Sequence, residues 1–212
     1  MKYETVIFDL DGTLLNTLGD LTDSVNHILE KFGYPLRTEG EIRKFLGNGS
    51  RDLIARSLPV PMDGEEFERI HDEYLAWYTS HSQIRTAPYE GIPELLKKLN
   101  EAGIKTAIVS NKGDRQVQAL AAKHFPDVKV VMGERPGIRR KPHPDAILAA
   151  MALLSADPAT TALVGDSEVD VQTARNAGIG AVAVGWGFRD KEELMRESPD
   201  VFINAPGELL SH

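Results

Sequence analysis

Asp9 and Asp11 stand two residues apart, directly after the apolar run Thr5-Val6-Ile7-Phe8. Asp166 follows a second apolar run, Thr161 to Val164, and Asp170 comes four residues later. Between these points lie Ser110-Asn111, after Lys105 to Val109, and Lys141, ahead of a helical pattern from Pro144. Three or four carboxylates brought together repel one another, and each costs several kcal/mol to desolvate unpaired (roughly, by transfer arguments). Asp9, Asp11 and Asp166 together therefore call for a cation. All-oxygen ligation by a few carboxylates suits Mg²⁺, which keeps several waters and accepts a phosphate oxygen. Lys141 and the Ser110 hydroxyl would then meet the remaining oxygens of a phosphate. Backbone N–H groups around Leu10–Gly12 and at Asn111 can add an anion nest, with Gly12 permitting the unusual backbone. Each group alone has a plainer reading. An Asp after a strand is a turn former, Asp166 or Ser167 caps a helix, and Asp170 is a first-turn acid. It is their convergence that needs chemistry.

That convergence depends on the elements that carry the residues. Thr5–Phe8 reads as a buried strand. From about Asn16 to Arg85 four helical patterns follow without a convincing strand; Thr38 with Glu41 forms a capping-box pattern, and Asp63 with Glu66 resembles another helix start. After Pro88 strands and helices alternate. The expected strands are Lys105–Val109, Val128–Met132, Thr161–Val164, Ala181–Val184 and an edge strand at Val201–Ile203. Helices are expected over Ile92–Asn100, Asp114–Phe125, Pro144–Ser155 and Glu168–Ala177, with a last one around Glu192–Leu194. This alternation predicts an α/β fold with a doubly wound parallel sheet, and the four-helix block is an insertion after its first strand. In such sheets ligands bind beyond the carboxyl ends of the strands. Asp9, Asp11, Ser110, Lys141 and Asp166 all fall at that edge.

Composition excludes other chemistries. Among 212 residues there is no Cys, which removes thiolate metal sites, disulfide scaffolds and cysteine nucleophiles. A net charge of −8 argues against non-specific nucleic-acid binding. The most apolar stretch, Ala146 to Leu154, is too short for a membrane span. The N-terminal residues run straight into the first strand, so no signal peptide is expected and the chain reads as cytoplasmic. The six histidines show no metal-ligand spacing.

The quoted segments resemble the haloacid dehalogenase-like superfamily: Phe8-Asp9-Leu10-Asp11-Gly12-Thr13-Leu14 its first motif, Ser110-Asn111 its second, Lys141-Pro142 its third, and Gly165-Asp166-Ser167-Glu168-Val169-Asp170 its fourth. The resemblance spans essentially the whole chain and implies a Rossmann-like core of residues 1–15 and 86–212, with a helical cap of residues 16–85. It implies that Asp9 is a nucleophile forming an aspartyl-phosphate, and that Asp11 is the acid for the leaving alcohol and then the base for water. Ser110 and Lys141 would bind the phosphoryl group. Mg²⁺ would be held by Asp9, the Asp11 backbone carbonyl and Asp166, with Asp170 orienting Lys141 or a metal-bound water. The acid at Asp11 favours a phosphatase or phosphomutase over a dehalogenase. Leu46-Gly47-Asn48-Gly49, Lys141-Pro142-His143-Pro144 and the run to Ala177-Gly178 resemble the phosphoglycolate phosphatase-type subfamily. The expectation is a Mg²⁺-dependent phosphatase acting on a small phosphorylated metabolite, with 2-phosphoglycolate a leading substrate. In the cap, Gly49 and Arg51 are candidate substrate contacts, Arg51 for a carboxylate. The rival readings are a sugar-phosphate mutase of the β-phosphoglucomutase type, an inorganic pyrophosphatase, and a non-catalytic phosphoacceptor or binding protein.

Overall fold

All four side chains of Thr5–Phe8 (β1) are buried. Val6 and Phe8 point into one apolar cluster and Ile7 into another. A strand covered on both faces needs such an unbroken apolar run, and it sits in the middle of the sheet. The computed structural model describes residues 2–212; Met1, the first residue of the expected core, lies outside them. The other elements follow in chain order. First come the two-residue strand Leu15–Asn16 (β2) and helices Leu18–Lys31 (α1), Glu39–Phe45 (α2), Gly49–Ser57 (α3) and Gly64–His81 (α4). Then come Ala87–Pro88 (β3), Ile92–Glu101 (α5), Lys105–Gly113 (β4), Asp114–His124 (α6), Val130–Glu134 (β5) and Asp145–Leu154 (α7). Thr161–Gly165 (β6), Glu168–Ala177 (α8), Gly180–Val184 (β7), Lys191–Arg196 (α9) and Val201–Ile203 (β8) complete the chain, apart from short 3₁₀ turns.

Six strands form one sheet in the order β5-β4-β1-β6-β7-β8, every pairing parallel. Leu95 and Leu99 of α5 and Val117 and Leu120 of α6 cover one face. Ile147 and Met151 of α7, Val171 and Ala174 of α8, and Leu194 of α9 cover the other. Connections alternate in this way because each crossover must return on one face of a sheet buried on both. The strand order reverses between β1 and β6, where a doubly wound sheet opens a crevice.

The helices α1 to α4 have an apolar cluster of their own, centred on Val25, Ile42, Leu53, Ile70 and Tyr74. Phe188, from the loop after β7, packs into it. The expected capping box at Thr38 and Glu41 is formed. Asp63 precedes α4 without a side-chain cap bond. Two strands differ from the sequence expectation by two residues or more. The strand expected to end at Val109 runs on to Gly113, with its register against β5 shifting after Val109. The strand expected at Val128–Met132 is Val130–Glu134. Polar residues at the ligand-bearing end of a strand hide its last turns from hydrophobic periodicity. The antiparallel pair β2–β3 where the chain enters and leaves the four helices was also unforeseen. No described helix is long and apolar enough to cross a membrane.

Candidate active site

The β1 strand ends at Phe8, and the Asp9 N–H extends its ladder by donating to the Val164 carbonyl. The chain then folds into a compact loop in which the Leu10 carbonyl accepts from the N–H groups of Leu14 and Leu15. Asp11 lies in this loop, and both carboxylates open into one cleft. Gly12 holds φ +83°, a conformation that side chains rarely adopt. It also leaves room: a Cβ there would sit 2.3 Å from Asp166 Oδ2. Gly187 does the same from the other side, where a Cβ would come within 2.2 Å of the Asp166 Cβ. Asp166 is thus cradled between two glycines. Its Oδ1 accepts from the Thr13 hydroxyl at 3.1 Å and its Oδ2 from the Phe188 N–H at 2.7 Å.

Lys141 is almost fully buried behind Asp9. Its ammonium lies 2.6 Å from Asp170 Oδ1 and 3.0 Å from Asp9 Oδ1. The contact to Asp9 is close but off hydrogen-bond geometry, so Asp9 Oδ1 accepts no hydrogen bond from the described residues. Asp170 does two jobs. Its Oδ2 accepts from the Ser167 hydroxyl at 2.5 Å and closes the capping box that starts α8, while its Oδ1 holds the lysine. Helix start and lysine anchor are one residue, which fixes both rigidly.

Electrostatics follow from this packing. Burial, reinforced by Asp170 and Asp11 and only partly opposed by Lys141, pushes the Asp9 carboxyl up to about 7. Burial, with Asp170 and Asp9, pushes Asp166 up to about 8. Burial alone would lower Lys141, but the Asp170 and Asp9 carboxylates outweigh it and hold the ammonium above the usual lysine range. At Asp9 the desolvation wins; at Lys141 two carboxylates win. One lysine is insufficient for this group. Asp9, Asp166 and Asp170 each offer an oxygen within 4.8 Å of the others. An Asp9 oxygen that meets Lys141 but accepts no hydrogen bond, and two carboxylates driven toward protonation by burial and by one another, fit a site built for a divalent cation.

The expected residues fall into three groups. Asp9, Asp11, Ser110, Asp166 and Gly49 line the cleft together. Lys141 and Asp170 stand behind its floor. Arg51 corrects the expectation. Asn111 borders the cleft, but its side chain is spent. Oδ1 accepts from the Lys141 N–H at 2.8 Å, and Nδ2 donates to the carbonyls of Lys141 and Gly47, both at 3.0 Å. The side chain therefore positions the lysine and clamps the helical insertion. Arg51 is drawn away by Glu68, with Nη1 2.8 Å from one oxygen and Nη2 2.5 Å from the other, and is half exposed. It does not line the cleft.

Three contributors carry no role in the site from the sequence alone. Lys112 is buried with its ammonium 2.8 and 3.0 Å from the two Asp11 oxygens. Arg189 donates to Glu168 at 2.8 Å and to the Arg43 and Leu46 carbonyls of α2 and its C-cap. Tyr78 lends its ring face to Lys112, 4.7 Å from the ammonium. Lys112 directly follows Ser110-Asn111, so its position was visible; its partners were not.

A family model described as haloacid dehalogenase-like hydrolase matches residues 6–184. The N-acetylmuramic acid 6-phosphate phosphatase of Pseudomonas aeruginosa is 30% identical over 213 residues, covering 99% of this chain and 94% of its own. A phosphoglycolate phosphatase of Mesorhizobium japonicum is 33% identical, over 90% of this chain and 86% of its own. A crystal structure of a candidate phosphoglycolate phosphatase from Lactobacillus delbrueckii subsp. bulgaricus superposes with a TM-score of 0.93 at 34% identity, covering 99% of this chain and 97% of that one. With the family model matching well over half of the chain, and with relatives this similar along their whole length, the chain belongs to the haloacid dehalogenase-like hydrolase family, in the branch that holds the phosphoglycolate phosphatases.

Proposed function

We propose that this phosphatase hydrolyses a small phosphate monoester through a covalent intermediate on Asp9. The observation that carries the reading is the Asp9 carboxylate on the cleft floor, with Lys141 at 3.0 Å, Asp166 beside it and Asp11 opening into the same cleft. Phosphate-monoester hydrolysis is among the slowest uncatalysed reactions, and splitting it into two displacements gives two easier steps. A carboxylate oxygen of Asp9 attacks phosphorus. The bond to the ester oxygen breaks, and the leaving alcohol takes a proton from Asp11. Asp11 then takes a proton from a water as that water attacks the aspartyl-phosphate. Inorganic phosphate leaves and Asp9 is restored as a carboxylate. The Ser110 hydroxyl binds a phosphoryl oxygen, and Lys141 supplies positive charge from beneath Asp9.

Asp9, Asp166 and the backbone carbonyl of Asp11 would hold Mg²⁺. When bound, the ion neutralises phosphoryl charge and offsets the repulsion among the carboxylates. The four helices, residues 16–85, act as a cap over the core of residues 1–15 and 86–212. They bring apolar walls to the cleft that exclude water from the reacting centre. The substrates named for the two relatives are phosphate esters of carboxylic acids, and a small ester of that kind is the leading substrate.

The test is phosphate release from a panel of 2-phosphoglycolate, glucose 1-phosphate, ethyl phosphate and pyrophosphate, with Mg²⁺. Wild type should release phosphate, chelation should stop it and Mg²⁺ should restore it. Asp9→Asn should abolish it while circular dichroism stays native. Turnover by folded Asp9→Asn would overturn the covalent route, and indifference to chelation would overturn the metal site. Isomerisation of glucose 1-phosphate instead of hydrolysis would move the reading to a mutase.

A further inference from the structure

We propose that Lys112 is the specificity-determining residue of this site, and that its ammonium receives a carboxylate carried on the alcohol portion of the substrate. The proposal rests on the phosphatase reading above and names the residue that selects its substrate.

The cleft has two unlike halves. Its floor is polar, with Asp9, Asp166 and Ser110. Its roof, supplied by the helical insertion, is apolar, with Leu53, Tyr74 and Tyr78. Lys112 stands where they meet. Asp11 faces it from the core and the Tyr78 ring faces it from α4. Asp11 must face the ester oxygen, so whatever lies just beyond Asp11 meets the leaving alcohol. That neighbour is Lys112.

Two basic side chains line the cleft among the described residues, Lys112 and Arg189. Arg189 is committed to Glu168 and to the carbonyls of Arg43 and Leu46. Arg51, the other basic candidate for a carboxylate, is tied to Glu68. Lys112 is left. Its side chain is 7% exposed, and its pairing partner is a carboxylate with other work to do. A buried ion pair is weak evidence of stability, because desolvating both charges offsets their attraction. An apolar side chain against Tyr78 would hold the cap as well. The charge is therefore better explained by an anion that comes and goes. A carboxylate on Lys112 would take donors now given to Asp11 and leave Asp11 free to turn to the ester oxygen. The apolar roof keeps water off this contact and so strengthens it.

The experiment compares kcat/KM for 2-phosphoglycolate with that for ethyl phosphate, a neutral-tailed ester of the same length, in wild type, Lys112→Met and Lys112→Arg. Wild type should prefer the carboxylate-bearing ester. Lys112→Met should cut that preference roughly 10- to 100-fold, as expected for loss of a hydrogen-bonded charge partner, mainly through KM for 2-phosphoglycolate. Lys112→Arg should keep most of it. Equal losses on both esters in Lys112→Met would overturn the proposal, since they would mean that Lys112 serves only Asp11 or the packing. Should Lys112→Met not fold, wild type decides alone: ethyl phosphate turned over as well as 2-phosphoglycolate refutes the assignment. Failure of the underlying phosphatase reading looks different, with no Asp9-dependent phosphate release from either ester.

Discussion

Gly187 has an ordinary backbone conformation, yet a side chain there would collide with Asp166. Its cost of substitution is steric, whereas Gly12 combines the same collision with φ +83°. Gly187→Ala should therefore push on both Asp166 and the Gly12 carbonyl, displacing the Asp166 carboxylate together with the loop that follows Asp11. Misplacing a reacting group by about 1 Å can cost on the order of 100-fold, so kcat/KM at limiting Mg²⁺ should fall by about that factor, with partial recovery at high Mg²⁺. Steady-state kinetics across a Mg²⁺ titration would check it; unchanged Mg²⁺ dependence would show that the cradle does not matter. Asp170 separates two roles by its two oxygens. Asp170→Asn should lower kcat about 10- to 100-fold, because Lys141 loses its charged anchor. Asp170→Ala should also destabilise α8 by about 1 kcal/mol through loss of the capping box. Parallel kinetics and urea denaturation distinguish the two, and equal stability of both variants would count against the capping role. The aspartates and Lys141 were legible in the sequence because they follow strands or lie ahead of a helix at one sheet edge, within short segments that resemble the family's motifs. What the side chains of Arg51, Asn111 and Lys112 contact was not, because their partners Glu68, Gly47 and Tyr78 belong to contacts with or within the inserted helices, which no local pattern records.

At the scale of elements, the join between insertion and sheet rests on a few groups. Asp20 in α1 is buried, and its two oxygens accept from the N–H groups of Ile84, Arg85 and Thr86 at 3.0, 2.8 and 2.9 Å. These three residues lead into β3, so one carboxylate ties the outgoing connection to the first helix. The Arg85 side chain then reaches back to Asp23 and Glu39. Asp20→Ala would strand three backbone donors, one of them buried. Hydrogen bonds to charged groups contribute about 1.5–3 kcal/mol, and part of the loss here is recovered by water, so the variant should be destabilised by roughly 2–4 kcal/mol. Asp20→Asn should fall between it and wild type. Chemical denaturation would check the order, and an Asp20→Ala variant as stable as wild type would mean that the connection carries no load. The arrangement of strands and helices was readable because buried strands are nearly pure apolar runs and helices repeat at 3.6. The β2–β3 pair escaped notice because two residues form no pattern. The far end of β4 escaped because Ser110, Asn111 and Lys112 are polar for the sake of the site, not of the strand. Strand pairing there is set by the neighbouring chain, which is a tertiary fact.

For the whole molecule, the clustered carboxylates link folding to pH and to metal. An ordinary aspartate titrates near 4 in an unfolded chain, by the usual reference of about 3.9. Asp9 is pushed up to about 7 and Asp166 to about 8, both first by burial and then by carboxylate neighbours. Between these limits the folded chain binds more protons than the unfolded one. Stability contributed by the two groups is therefore full below about 4 and is lost as the pH rises through about 7 to 8. Metal-free protein should melt at a lower temperature at pH 8 than at pH 5, since other carboxylates are already ionised over most of that range. Mg²⁺ held only at the deprotonated site of the folded state, as proposed above, would add stability by mass action where protons have left. It should raise the melting temperature substantially at pH 8 and little at pH 5, where protons compete for the same oxygens. Asp166→Asn should flatten the metal-free pH dependence and abolish most of the Mg²⁺ response. Thermal melts at the two pH values, with and without Mg²⁺, would test this. A metal-free protein more stable at pH 8 than at pH 5, or an equal Mg²⁺ shift at both, would mean that Asp9 and Asp166 are not the shared seat of proton and cation.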